Sequence, residues 1–127
     1  PRNYLTKLLR YNTLYDNINS LSHRGDFVRA CLDLWTIRAP FGTYNVTNPG
    51  WVTTRQVAER MQAAGLLASP KFFQDDLEFY STAAATPRSN TILDSSKLLN
   101  TGVEMPDIQE RLSAVISGYQ VLAQISA

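Results

Sequence analysis

Breakers divide this chain into short pieces. Ser22-His23-Arg24-Gly25-Asp26 is a turn signal, Pro40 ends whatever precedes it, and Asn48-Pro49-Gly50 forms a second turn. Gly65, Asn100-Thr101-Gly102 and Pro106 interrupt the rest. Proline removes a backbone donor and clashes with the preceding helical turn, and glycine opens the left-handed region where helices end. The chain must therefore be assembled from helices of a few turns and short strands. No apolar run approaches the length of a membrane span.

Periodicity assigns the pieces. Tyr4, Leu5, Leu8, Leu9 and Tyr11 suit an amphipathic helix over 3–11, with Asn3 as its N-cap. The polar stretch Asn12 to Ser22 has room for a short strand. Phe27, Val28, Cys31, Leu32, Leu34 and Trp35 recur at helical spacing, which predicts a helix over 26–37 stopped by Pro40. Gly42 to Thr47 alternates and is rich in β-branched and aromatic residues, so 42–47 is expected to be a strand. Thr53-Thr54-Arg55-Gln56 is a capping box that opens a helix ending at Gly65. Phe72-Phe73 suggests a short strand, and Asp75 to Tyr80 a helical turn. A short helix follows Asp94, and a last helix over about 107–122 places Ile108, Leu112, Val115 and Ile116 on one face. Trp35 and Trp51 are expected in the core or at its rim. The total is four or five helices with a few short strands, an α+β piece when taken alone. Two lone strands do not make a stable open sheet, so they either pair with each other or complete a sheet supplied from elsewhere.

The chemistry that would make the chain an enzyme by itself is missing. Its 127 residues suffice for one domain with a modest core, and the net charge of +1 offers no field of one sign to nucleic acid or an acidic membrane. One cysteine, Cys31, and one histidine, His23, form no intramolecular disulfide and no metal-ligand cluster. Neither Tyr-x-x-x-Lys, nor a glycine-rich phosphate loop, nor Gly-x-Ser-x-Gly occurs. His23 with Ser20, Ser22 and Asp26 only faintly suggests a triad, and Asp75-Asp76 with Glu78 reads as a solvated acidic face. A rival from another class is a small DNA- or protein-binding module. Val52 to Met61 resembles the first helix of a helix-turn-helix reader, but the segment after Gly65 makes a poor recognition helix.

One stretch does suggest a ligand. In Ala85-Thr86-Pro87-Arg88-Ser89-Asn90, a proline stiffens the approach of the only strong cation between Lys71 and Lys97. A guanidinium on a stiff loop binds two phosphate oxygens at low entropic cost. The loop is anchored at once by a helix that Asp94 or Ser95 can cap.

Three stretches together resemble a known family. They are Pro1-Arg2-Asn3-Tyr4-Leu5-Thr6-Lys7 with Arg10-Tyr11-Asn12, then Gly42-Thr43-Tyr44-Asn45-Val46-Thr47-Asn48-Pro49-Gly50, then Pro87-Arg88-Ser89-Asn90 through Leu93-Asp94-Ser95-Ser96-Lys97-Leu98. In order and spacing they resemble the C-terminal, substrate-binding part of extended short-chain dehydrogenase/reductase enzymes acting on nucleotide sugars. The nearest pattern is that of the 4-keto-sugar reductases and epimerase-reductases of rhamnose biosynthesis.

The resemblance implies an α/β parent in which this helical lobe, residues 1–127 as one unit, is attached to a doubly wound Rossmann-type sheet. It implies that the NAD or NADP site and the catalytic tyrosine lie in a missing N-terminal domain, that no catalytic residue lies in this segment, and that the segment alone binds no cofactor. Strand 42–47 would extend the parent's sheet. The implied substrate is a dTDP- or UDP-hexose, reduced or epimerised by hydride transfer at C4; a 4,6-dehydratase or 4-epimerase parent is the alternative. Arg2, Asn3 and Tyr4 would approach the nucleotide, and Arg88 would hold phosphate, with Asn90 ordering its loop or contacting the nucleotide. His23 lies where related epimerases carry an Arg-Asp-Tyr-x-His segment, with Asn19 in place of the arginine. The implied setting is cytoplasmic, without membrane or nucleic acid, and in a homo-oligomer.

Overall fold

Asn3 begins the fold as expected: its side-chain oxygen accepts from the N–H groups of Leu5 and Thr6 and caps a short helix, α1 (Tyr4–Leu8). The helix stops at Leu9, shorter than the apolar spacing suggested. The computed structural model describes residues 3–84, 86–87 and 89–125, with the backbone alone for 121–125. Within these the order is α1, β1 (Ile18–Asn19), α2 (Arg24–Thr36), β2 (Val52–Thr53), α3 (Thr54–Ala63), α4 (Asp76–Thr82), α5 (Ser96–Leu99) and α6 (Ile108–Ile125). The two short strands form a two-stranded sheet, so the fold is mostly helical with a small β element.

The chain divides into two compact units, and each is built from separated stretches. The first takes residues 1–17, 53–90 and 113–127. Here α3 carries the expected capping box, with Thr53 and Gln56 each bonding the other's backbone N–H, and it ends before Gly65 at φ 71°. Its buried face presents Val57, Ala58 and Met61; among the described residues Leu5, Leu8, Leu14, Phe79 and Ile116 are also buried in this unit. Phe72 does not form a strand but makes an isolated parallel bridge with Leu14. Tyr15 lies flat on Phe79 at 3.9 Å and donates to Asp76 at 2.9 Å. The Arg55 guanidinium binds Asp16 and covers the Phe72 ring.

The second unit takes Ile18–Val52 and Thr91–Leu112. Its core is Ala30, Leu98, Val103 and Met105, with Leu34, Tyr44 and Val46 packed against it. At its centre is a buried carboxylate. Asp26 receives two bonds from the Arg111 guanidinium, at 2.7 and 2.8 Å, and one from Asn48 Nδ2 at 2.9 Å. Asn48, wholly buried, also donates to the carbonyl of Pro106 and accepts from the N–H of His23. Burial by itself pushes the Asp26 carboxyl up. The bonds from Asn48 and Arg111, with the arginine's charge, outweigh it and hold the group below the ordinary carboxylate range.

Two expectations are corrected here. Residues 42–47 are not a strand. Alternation predicted extended backbone, but among the described residues no strand runs beside this segment. Its polar groups are met otherwise: Lys97 donates to the carbonyl of Thr43, Ser22 to that of Val46, and the N–H of Asn48 bonds Leu21. The helix expected over 26–37 exists, but it starts at Arg24 under a His23 cap and turns most of its apolar face outward. Phe27, Val28, Leu32 and Trp35 are exposed, whereas Asp26 and Ala30 are buried. The tether on Asp26 fixes the rotation of α2, and small Ala30 lets the helix lie close to its core. Trp51 is exposed as well, at 43%.

Removing one partner of a buried, hydrogen-bonded ion pair costs about 3–5 kcal/mol. Asp26→Asn is therefore expected to lower the unfolding free energy near neutral pH by about 3 kcal/mol. A carboxyl depressed in the folded state binds fewer protons there than when unfolded, so its contribution is present above about pH 4 and is lost as pH falls through the folded-state value. Urea titrations from neutral to strongly acid pH check this: native and variant curves should converge on acidification, and a constant gap would be the wrong answer.

Candidate functional site

Arg2 and Arg88 lie outside the described residues. The other candidates divide between the units: Asn3, Tyr4 and Asn90 belong to the first, and His23 to the second. Asn3 is already engaged, because its Oδ1 caps α1 at 2.9 Å from the N–H of Leu5. The first-turn N–H groups of α1 are thus partly taken by the cap itself. Tyr4 is half-buried; its hydroxyl donates to Thr54 Oγ1 at 3.3 Å, and Thr54 in turn donates to Asn17 at 2.7 Å. Burial raises the Tyr4 hydroxyl above the ordinary phenol range, opposed in part by that bond. His23 caps α2, its Nδ1 accepting from the N–H of Asp26 at 3.3 Å, so its ring is a structural acceptor in the half-buried turn.

The loop that carries Asn90 is firmly held where it ends. Thr91 bridges to Asn19: its N–H bonds Asn19 Oδ1 at 2.9 Å, and its carbonyl accepts from the N–H of Ser20. The N–H of Leu93 bonds Ser20 Oγ. Asp94, not Ser95, caps the following helix, accepting from the N–H of Ser96 at 2.8 Å, and that bond lowers its carboxyl. Asn90 is exposed in this loop.

Two of the three motif stretches prove to hold each other. Asn45 donates to the carbonyl of Asp94, and Lys97 reaches the carbonyl of Thr43 at 2.9 Å while its ammonium sits 4.7 Å from the centre of the Tyr44 ring. Gly42, at φ 151°, leaves the space: a Cβ there would stand 2.9 Å from Lys97 Nζ. Gly50, at φ 90°, lies against Asp107 and Ile108 where α6 begins. Sequence reasoning assigned these stretches to a resemblance; the structure makes them scaffold. It missed the Asp26–Arg111 pair altogether, and no local spacing signals two partners 85 residues apart.

Among the described residues no three of His, Cys, Asp and Glu lie close enough to hold a metal ion. No helix there is long and apolar enough to cross a membrane. The rival helix-turn-helix reading lacks its second helix: 65–75 contains none, and α4 begins on the acidic Asp75-Asp76. An open depression lined by Arg29, Val103, Met105 and Glu110 holds no free convergent set of polar groups, since Arg29 is spent on Asp33 and the carbonyl of Glu104.

If Asn3 serves chiefly as a cap, Asn3→Ala should cost about 1 kcal/mol, and Asn3→Asp should recover nearly all of it. Denaturation of the three proteins side by side checks this, and equal stabilities would refute it.

No family model matches the chain. Among curated proteins it is 32% identical over 114 residues to a bifunctional dTDP-4-dehydrorhamnose 3,5-epimerase/dTDP-4-dehydrorhamnose reductase of Arabidopsis thaliana, a match covering 88% of this chain and 36% of that protein. It is 30% identical over 112 residues to a trifunctional UDP-glucose 4,6-dehydratase/UDP-4-keto-6-deoxy-D-glucose 3,5-epimerase/UDP-4-keto-L-rhamnose-reductase of the same plant, covering 88% of this chain and 17% of that one. The chain therefore spans well under half the length of these relatives. A crystal structure of a UDP-rhamnose synthase from Acanthamoeba polyphaga mimivirus shares the fold, with a TM-score of 0.79 at 24% identity over 92% of this chain and 40% of the other. The chain is homologous to a segment of the nucleotide-rhamnose epimerase/reductase enzymes.

Proposed function

We propose that the chain is the nucleotide-sugar-binding lobe of an NAD(P)-dependent 4-ketoreductase or epimerase/reductase of the short-chain dehydrogenase/reductase kind. The observation that carries this reading is the homology over 88% of the chain to enzymes whose names specify nucleotide-linked rhamnose chemistry. The substrate is a dTDP- or UDP-hexose, and the parent protein transfers hydride at the sugar's C4. Residues 1–127 act as one lobe beside a Rossmann-type domain carrying the catalytic tyrosine, in a cytoplasmic homo-oligomer.

The dinucleotide does not fit the residues described. The strand-to-helix junction from β2 into α3 passes through Thr53-Thr54-Arg55 with no glycine, and its N–H groups are engaged: Thr53 and Gln56 in the capping box, Thr54 by the carbonyl of Asn17 and Arg55 by the Asp16 carboxylate. That junction offers no pyrophosphate cradle, and in this reading NAD(P) is held by the companion domain. The lobe's own task is to bind and orient. Arg88 supplies paired donors to the diphosphate, with Arg2, Asn3 and Tyr4 on the nucleotide side and Asn90 and His23 at the rim. The pinning of Thr91 and Leu93 favours this assignment, because a loop fixed at one end loses less entropy when its arginine closes on phosphate.

Calorimetric or NMR titration with dTDP- and UDP-sugars tests the reading. Weak binding is expected, at least about tenfold weaker in Arg88→Ala, the scale of one lost charge-assisted contact. Equal binding by the variant would remove Arg88 from the phosphates. Failure of both this chain and a longer form bearing the sheet domain to bind either nucleotide would reject the lobe.

A further inference from the structure

The outward side of α2 goes beyond this reading, and its argument is independent of any sugar nucleotide. α2 has two apolar faces. One, through Ala30 and Leu34, meets the core of its unit. On the other, Arg24, Phe27, Val28, Cys31, Leu32 and Trp35 follow helical spacing down a single stripe and are all exposed. Trp35 is 81% exposed, Leu32 62%, Val28 50% and Phe27 43%. The four present on the order of 500 Å² of mostly apolar surface, comparable to the largest patch on a typical soluble monomer. Phe41, in the turn that follows, is fully exposed and adds to the apolar surface of this unit.

We infer that this stripe is a self-association surface, on which α2 of a second copy packs antiparallel about a two-fold axis. The argument is complementarity along the helix. The stripe has a cation at its start, Arg24, and an indole near its end, Trp35, three turns or roughly 16 Å apart. The last turn of α2 carries no basic residue, so the negative end of its dipole is unmatched from within the helix. A copy running the opposite way sets each Arg24 over the other's Trp35 and beside that carbonyl end, twice by symmetry. A parallel copy would set Arg24 against Arg24. The antiparallel axis passes between Val28 and Cys31, which brings the two Cys31 thiols to the middle of the interface. Cys31 is exposed and is the only cysteine in the chain. At about 500 Å² per copy the stripe falls short of the roughly 800 Å² of a standard partner surface, so the dimer is weak and depends on concentration.

Sedimentation velocity on the full chain, from low micromolar to near millimolar concentration, tests this, with far-ultraviolet circular dichroism as a control of folding. A reversible monomer–dimer equilibrium is expected. Leu32→Glu and Trp35→Glu, both changes of exposed side chains, should leave the dichroism unchanged and weaken association at least tenfold. A short bis-maleimide should cross-link native chains through Cys31 and fail to cross-link the Leu32→Glu variant. A monomer at every concentration overturns the proposal and leaves the stripe to a different polypeptide. A dimer that survives both glutamates places the interface elsewhere. An Arg24→Glu chain that dimerises as tightly as the native one overturns the antiparallel arrangement.

Discussion

The Asp26 carboxylate is the constraint on which the second unit depends. It is buried at the start of α2, and a buried charge is tolerated only when its partners are complete. Arg111 and Asn48 complete them, and each partner brings a different piece of chain. Arg111 brings the first turns of α6. Asn48 brings the end of the irregular 43–48 segment, and it ties Pro106 and His23 to the same point. Three pieces that make few backbone bonds to one another thus meet through side-chain polar atoms. Thr47 shows how close the accounting runs: its hydroxyl, next to Asn48, is buried with no partner among the described residues.

The legible part of the sequence was local. Asn3 and Thr53 with Gln56 each bond an N–H two or three residues ahead, and Gly65 and Gly102 take positive φ after helices, as residue type and spacing alone suggest. The illegible part required knowing a neighbour. Periodicity in α2 marked an apolar face correctly but could not say which of two faces turns inward. A tether at Asp26 decided that. Alternation over 42–47 implied extended backbone, and extended backbone becomes a strand only with another beside it.

The candidate site divides in the same way. Asn3 and His23 were singled out for ligand binding, and both side chains work as helix caps. The motifs that carried the family resemblance also have a structural explanation. Asn45, Lys97, Gly42 and Gly50 fasten the irregular segment to the helix starts at Asp94 and Asp107. A resemblance resting on such residues reports a shared framework, which agrees with a shared fold at 24% identity.

The separated build of the second unit also has a temporal side. Asp26 and Arg111 are 85 residues apart, and Asn45 and Asp94 are 49 apart. During synthesis α2 leaves the ribosome long before the guanidinium that neutralises its carboxylate exists. Until then the helix gains nothing by turning Asp26 inward, and its rotation is undecided. Closing loops of this length before any contact rewards them makes folding slow relative to chains with local pairings. The second unit is thus completed only after the whole stretch Thr53–Asn90 has been made, while α3, with its local capping box, is free to form early.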